Sequence, residues 1–201
     1  MNIRNARLQD KRRLYEICLL TGDSGRDATG LIEDLDLFGD LWVGPYLEYS
    51  IEFSNVLEDD DGLVLGYCLG VKETFEYEKL VNQFWWPRLR KKYPVPDVSR
   101  RATWTRDEKN AYLLHNIPKV SPEIIKQYPS HGHINLVSSV QGKGWGRLLL
   151  KTVEEKLNIA GSSGIHLILN STNLNALAFY KVMGYETIFE NTTDIGVGKS
   201  F

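Results

Sequence analysis

Three glycines within five residues mark the part of the chain best suited to hold a phosphate. His133-Ile134-Asn135-Leu136-Val137 is apolar and β-branched enough for a strand, and Ser138-Ser139-Val140-Gln141-Gly142-Lys143-Gly144-Trp145-Gly146-Arg147 follows it. Beyond the glycines, Trp145, Leu148, Leu149, Val153 and Leu157 recur at the i, i+3, i+4 spacing of a helix with one buried face. Gly142, Gly144 and Gly146 free the backbone for positive φ and let a ligand approach the main chain. The first N–H groups of a helix lack intrahelical partners, and the helix dipole draws anions to that end. Strand, glycine turn and helix start make a phosphate cradle or, without a ligand, a tight turn. A dinucleotide site needs Gly-x-Gly-x-x-Gly with an acid about 20 positions on, and the third glycine is misplaced here. A P-loop needs Gly-Lys-Ser/Thr after a four-residue gap, which Gly142-Lys143-Gly144 does not supply.

The elements that must position this loop are legible around it. The 201 residues suit one domain with a substantial core, and 42% hydrophobic with 25% charged residues is ordinary for a globular protein. A net charge of −2 gives no general attraction to nucleic acid or anionic lipid, and neither is expected as a partner. No apolar run approaches the ~20 residues of a membrane span, and Met1-Asn2-Ile3-Arg4 does not open a signal peptide. Cys18 and Cys68 lie in apolar surroundings with no metal-site spacing. A reducing setting, cytoplasmic and also nuclear, is therefore expected, with no metal.

In chain order, residues 2–6 suggest a first strand and residues 9–20 a helix carrying Leu14, Ile17 and Cys18 on one face. A shorter helix is expected near Leu31 to Phe38. Residues 51–57 and 63–71 read as an antiparallel hairpin across the turn cluster Asp59-Asp60-Asp61-Gly62, whose acids lack calcium-loop spacing. An excursion then occupies about 75–130. It holds a helix from Glu76 to Lys92, ended by Pro94 and Pro96, and another at Pro122 to Tyr128. Arg88, Arg90, Lys91 and Lys92 suit a helix C-terminus more than an anion site. After the glycine loop and its helix, Gly164–Asn170 is strand-like, so strand, helix, strand implies a parallel pair with a right-handed crossover. A last helix begins near Asn173, and closing strands are expected at 185–189 and 194–201.

A second motif narrows the loop's owner. Starting 27 residues after Gly146, the chain reads Asn173-x-x-Ala176-x-x-Phe179-Tyr180-x-x-x-Gly184-Tyr185. Together, Gln141-x-x-Gly144-x-Gly146 and this stretch resemble the two signatures of the GNAT N-acetyltransferases, in order and spacing. Several stretches also resemble the acetyltransferase-like domain attached to the eukaryotic O-GlcNAc hydrolase and its stand-alone microbial relatives. They are Gly44-Pro45-Tyr46, Gly66-Tyr67 leading to Glu73-Thr74, Trp86-Pro87-x-Leu89-Arg90 with Tyr93-Pro94, and Tyr128-Pro129-x-His131-x-His133-Ile134. That group more often has Asp-Thr where Glu73-Thr74 stands.

The resemblance implies an α/β (α+β) GNAT fold over residues 1–201, a single domain with a mixed central sheet, a splayed parallel strand pair and helices on both faces. It implies acetyl-CoA as co-substrate. Backbone groups of Leu136 and Ser138 would bond the pantetheine amides and polarise the acetyl carbonyl, an oxyanion-type role that needs no particular side chain. The N–H groups of Gln141, Gly142, Lys143, Gly144, Trp145 and Gly146 would hold the pyrophosphate, aided by the Lys143 or Arg147 cation. Asn173 would bond the pantetheine arm, with Val137, Ala176 and Phe179 completing the cofactor surface. Tyr180 matches the general acid that protonates the departing thiolate, or else it is a core aromatic. For the base, Glu73 is the first candidate and His133 the next, with His131 alternating beside it and Asn135 able to orient a water. His166 is expected to be structural.

Two functions follow. One is an acetyl-CoA-dependent N-acetyltransferase that transfers directly to a primary amine, on a small molecule or peptide, in a ternary complex; neither cysteine lies near enough to the expected site for an acyl-cysteine route. The other is a catalytically inactive GNAT-fold binding or scaffold module. The glycine loop and Tyr180 favour the enzyme. Acceptor candidates meet between residues 23–50 and 75–130, where Tyr46, Tyr49, Trp85, Trp86 and Trp104 are available to line a cleft or to form core.

Overall fold

The computed structural model describes residues 1–201 and arranges them around seven strands. These are β1 (Asn2–Asn5), β2 (Asn55–Glu58), β3 (Val64–Val71), β4 (Ser130–Leu136), β5 (Gly164–Asn170), β6 (Glu186–Glu190) and β7 (Asp194–Ser200). Their spatial order is β1-β2-β3-β4-β5-β7-β6, antiparallel throughout except for β4 and β5. The sheet is thus mixed with one parallel pair, as expected, and β7 inserts between β5 and β6. The helices are α1 (Lys11–Leu19), α2 (Leu35–Trp42), α3 (Gly44–Tyr49), α4 (Thr74–Leu80), α5 (Trp86–Lys92), α6 (Arg106–His115), α7 (Pro122–Gln127), α8 (Trp145–Ile159) and α9 (Leu174–Val182).

Strand alternation sends neighbouring residues to opposite faces of the sheet. Leu57 and Cys68 join Leu149, Leu150, Val153, Leu157 and Tyr180 in one core, beneath α8 and α9. Val56 and Tyr67 join Leu14, Ile17, Cys18, Phe38 and Leu47 in the other, beneath α1, α2 and α3. Burying each aliphatic side chain contributes about 2 kcal/mol. The apolar stripe of α8 is rotated slightly from its expected position: Leu150 is buried, whereas Leu148 is half exposed. A third cluster, with Leu37, Leu41, Val81, Trp85, Trp86, Leu89 and Leu114, fastens the excursion to α2.

Several boundaries differ from expectation. The helix sought at Leu31 to Phe38 begins only at Leu35, because Asp34 caps it by accepting from Leu37 N–H (2.8 Å). α3 follows it at once and was not expected. Residues 51–53 form a 3-10 turn rather than strand. The long excursion helix is interrupted by π-helix over Val81–Trp85, immediately before Pro87 in the first turn of α5. Between the two expected excursion helices lies a further one, α6, opened by a reciprocal capping box between Thr105 and Glu108. Within Asp59-Asp60-Asp61, the Asp59 carboxylate closes the hairpin turn by accepting from the N–H groups of Asp61 and Leu63. No helix is long and apolar enough to cross a membrane.

Candidate active site

β4 and β5 pair only at Ser130–Ile165 and His131–His166, then diverge, while β3 accompanies β4 all the way to Leu136. A groove therefore opens between β4 and β5, widening toward the glycine loop. Val137 N–H donates to Leu65 C=O on β3 (2.9 Å). By strand alternation the N–H and C=O of Leu136 then point the other way, into the groove. The Gln141 side chain confirms this direction, since its Nε2 donates to Leu136 C=O (2.7 Å). Gln141 thus braces the strand end across the turn and leaves the Leu136 N–H available for a ligand.

Past Gln141 the chain needs glycine at two positions. Gly142 and Gly144 have φ of +70° and +85°, and a Cβ on either would meet nothing within 4 Å. Their requirement is conformational: the left-handed turn brings the chain into α8 and leaves open space over the first N–H groups. Gly146 is different from its expected role. It has ordinary helical backbone, and an added Cβ would stand 3.6 Å from Phe179 and 3.7 Å from Leu136. Gly146 is where the two sequence motifs meet. Ser138, Lys143 and Arg147 are exposed around the loop, with Val137 and Trp145 partly buried at its base.

Across the groove, Asn173 caps α9, its Oδ1 accepting from Ala176 N–H (3.1 Å). The cap occupies the carbonyl half of the amide and leaves the Nδ2 donors for a ligand. The α1–α2 connection comes close here: Ser24 and Thr172 hydroxyls are hydrogen-bonded (3.2 Å), and Asp23 pairs with Arg106 of α6 (3.1 Å). Tyr180 is buried under the groove between the rings of Phe179 and Tyr185, each 5.4 Å from its own. Burial pushes its phenol above the ordinary tyrosine range, with Cys68 and Tyr46 adding to the rise, so Cys68 lies closer to the site than expected, as a buried core thiol. Tyr185 is a structural contrast, donating to Glu154 (2.7 Å), which Lys199 also holds (2.7 Å).

The polar face of β4 carries His131, His133 and Asn135. His133 Nδ1 donates to Trp42 C=O (2.9 Å), and Asn135 Nδ2 donates both to His133 Nε2 (3.2 Å) and to the Tyr67 hydroxyl (2.9 Å). Burial lowers the His133 pKa to about 4 and that of His131 to about 3, with His166 adding to the latter. Thr74 Oγ1 lies 2.8 Å from both Pro129 C=O and His131 Nδ1. His166 is structural, its Nδ1 donating to Tyr128 C=O (2.8 Å).

Glu73 does not take the place expected of it. It is exposed at the N-cap of α4, where the chain turns out of β3, and its neighbour Thr74 reaches His131 instead. Of the five cleft aromatics considered, Trp85, Trp86 and Trp104 are core, and Tyr49 packs on Trp85. Only Tyr46 reaches the histidines. Trp42, Tyr67 and Tyr77 were missed, because the histidine contacts that define them link distant parts of the chain. The basic run is consumed locally: Arg88 lies over Trp85 (4.5 Å), Arg90 donates to Leu114 C=O (3.0 Å) and Lys92 lies over Tyr93 (4.7 Å).

The family model for the acetyltransferase (GNAT) domain matches residues 121–198, which include the groove, the loop and Tyr180. The crystal structure of SsHAT superposes with a TM-score of 0.89 at 32% identity, covering 99% of this chain and 97% of that one. The chain belongs to the GNAT acetyltransferase superfamily. It is also similar to the protein O-GlcNAcase of Rattus norvegicus, 27% identical over 179 residues and 88% of this chain. The chain spans only 19% of the length of that relative. The uncharacterized protein YdhI of Bacillus subtilis (strain 168) is 41% identical over 63 residues. At the level of fold alone, this GNAT chain also matches an N-acetyltransferase of Thermoplasma acidophilum solved with coenzyme A, at 11% identity and a TM-score of 0.56. The splayed pair, the glycine loop and the capped α9 leave backbone and amide donors unpartnered along the groove.

Proposed function

We propose that the chain is an N-acetyltransferase that moves the acetyl group of acetyl-CoA directly onto a primary amine in a ternary complex. The observation that carries this reading is the divergence of β4 from β5 after His131, opening onto a glycine loop with Tyr180 beneath it. Gln141 to Gly146 and the start of α8 would hold the pyrophosphate, with Lys143 or Arg147 supplying charge. Asn173 Nδ2 and the Leu136 and Ser138 backbone would hold the pantetheine arm.

The amine nitrogen attacks the acetyl carbon, and the Leu136 N–H stabilises the oxyanion as it forms. The nitrogen's proton passes to His133 Nε2, which exchanges the hydrogen bond it accepts from Asn135 Nδ2 for one from the attacking amine. The C–S bond then breaks, and the thiolate takes the Tyr180 proton. Burial strengthens the hold of Tyr180 on its proton, but it raises the proton affinity of a thiolate in the same place, as it does for Cys68. The buried free thiols Cys18 and Cys68 support a reducing, cytoplasmic or nuclear setting for the protein.

Calorimetric titration with acetyl-CoA tests the first link, with saturable binding below millimolar concentration expected. Absence of binding near 1 mM, an order-of-magnitude ceiling for such co-substrates, overturns the reading. Binding with no thiol release across a panel of amines would leave a GNAT-fold binding module.

A further inference from the structure

Where β4 begins to part from β5, the face of β4 that carries His131 and His133 is packed with aromatic rings. The His133 ring lies 5.4 Å from Tyr67 and 6.5 Å from both Trp42 and Tyr46, and the His131 ring lies 5.1 Å from Tyr77 and 5.5 Å from Tyr46. Hydrogen bonding fixes their protons. A carbonyl only accepts, so His133 Nδ1, bonded to Trp42 C=O, carries hydrogen; an amide nitrogen only donates, so Nε2, facing Asn135 Nδ2, does not. With the amide nitrogen on that side His133 is neutral, in keeping with the depression that burial imposes on it. The oxygens of Thr74 and Pro129 lie 2.8 Å apart, and only the threonine hydroxyl has a proton to place between them. Thr74 Oγ1 must then accept from His131 Nδ1, and the burial that depresses this imidazole keeps its Nε2 unprotonated.

No carboxylate is hydrogen-bonded to or ion-paired with either histidine. On α2, Asp36 pairs with Arg12 and Asp40 accepts from Tyr15. Glu48 of α3 and Glu73 and Glu76 at α4 are exposed, and Glu78 of α4 has Lys119 for company. β3 and β4 contribute only Tyr67, the two histidines and Asn135 to this cluster. Cation–π binding is a weak substitute. Three ring pairs are edge-on, at 66–72°, so ring faces are already engaged by neighbouring ring edges.

We propose that the acceptor is a weakly basic amine that enters uncharged, an arylamine or a peptide α-amine, rather than a lysine side chain or a polyamine. This rests on the groove being an acetyl-transfer site. An ammonium entering here sheds its hydration with no acid to receive it, the cost that already keeps both imidazoles neutral. The difference in supply is large. At pH 7 an α-amine of pKa ~7.8 is uncharged in roughly one molecule in ten, a lysine of pKa ~10.4 in fewer than about one in a thousand. A neutral amine also suits the base at hand, because His133 then has to remove a proton only after attack, when the nitrogen is acidic.

The test is calorimetric binding of aniline, phenylalaninamide and benzylamine to the full chain, with and without coenzyme A. Aniline or phenylalaninamide should bind at least about tenfold more tightly than benzylammonium at pH 7, and the apparent benzylamine affinity should rise about tenfold per pH unit up to its own pKa. Which of the first two wins assigns the arylamine or the α-amine. Asn135→Asp, which puts a carboxylate beside the rings, should reverse the order in favour of benzylammonium. Benzylamine binding equally or better at pH 7, affinity that ignores pH, or no binding by any of the three overturns the proposal. Failure of coenzyme A itself to bind strikes the transfer reading instead, and the amine titrations without it stand apart from that result.

Discussion

Tyr180 and Tyr185 are both buried phenols five residues apart, yet only one is committed to a carboxylate. Tyr180→Phe removes the proton offered to the thiolate and should lower kcat about 100-fold, within the range for general acids, while leaving the acetyl-CoA Kd unchanged. Steady-state thiol release and calorimetry on the same preparation check this, and unaltered kcat would return Tyr180 to the core. Tyr185→Phe should do the opposite. It strands Glu154 with Lys199 alone and should cost about 1–2 kcal/mol of stability by urea denaturation, with kcat preserved. Tyr180 could be nominated from the sequence because Asn173 to Tyr185 is a contiguous motif and α9 carries most of it. The surroundings of His133 were not. Trp42 C=O reaches it across 91 positions and Tyr67 across 66, and no local pattern encodes a contact made by strand register and a helix end. For Glu73 the position at a strand exit was legible, but the turn into α4 that leaves it exposed at the helix start was not.

Elements whose signals lie within one turn were read best. β5 was placed at its observed bounds by its apolar run, and the glycine loop by composition. α6 was overlooked although Thr105-x-x-Glu108 announces it, because its exposed face and low amphipathicity hid the helical period behind neighbouring prolines. Thr105→Ala should therefore cost about 1 kcal/mol and loosen the excursion, visible as faster amide exchange over 106–115. The loop glycines separate into two kinds that sequence could not distinguish. Gly144→Ala forces a left-handed residue to bear a Cβ and should destabilise by about 1–2 kcal/mol while weakening acetyl-CoA binding. Gly146→Ala sits in regular helix with ordinary contacts and should stabilise the free protein by up to about 1 kcal/mol. If the ligand backbone contact is close, the same variant should still lose affinity. Equal melting shifts for the two variants would contradict the division.

At the scale of the molecule, the fold keeps three imidazoles on the adjacent strands β4 and β5 neutral. This has a consequence for acid stability with a definite sign. An unfolded histidine takes its proton near pH 6.5, whereas His133 waits until about 4 and His131 until about 3, and His166 is lowered too. Depressed folded pKa values mean stability that is present above pH 6.5 and is lost as pH falls through the window toward 4. Within it each proton held only by the unfolded chain tilts the equilibrium by at most about 1.4 kcal/mol per pH unit. Carboxylates cannot account for the same window. Asp10, which burial pushes up but the combined hydrogen bonds and charges of Arg4 and Arg7 bring down below its ordinary range, acts beneath this window, and Glu78, raised by burial, works in the opposite sense. The urea midpoint should thus decline from pH 6.5 to 4.5, ahead of carboxylate titration. His131→Gln combined with His133→Gln should flatten that decline even if it lowers the plateau at pH 7. A midpoint that stays level to pH 4.5 in the parent chain would mean that the groove admits the imidazolium, and with it the ammonium that the neutral-amine proposal excludes.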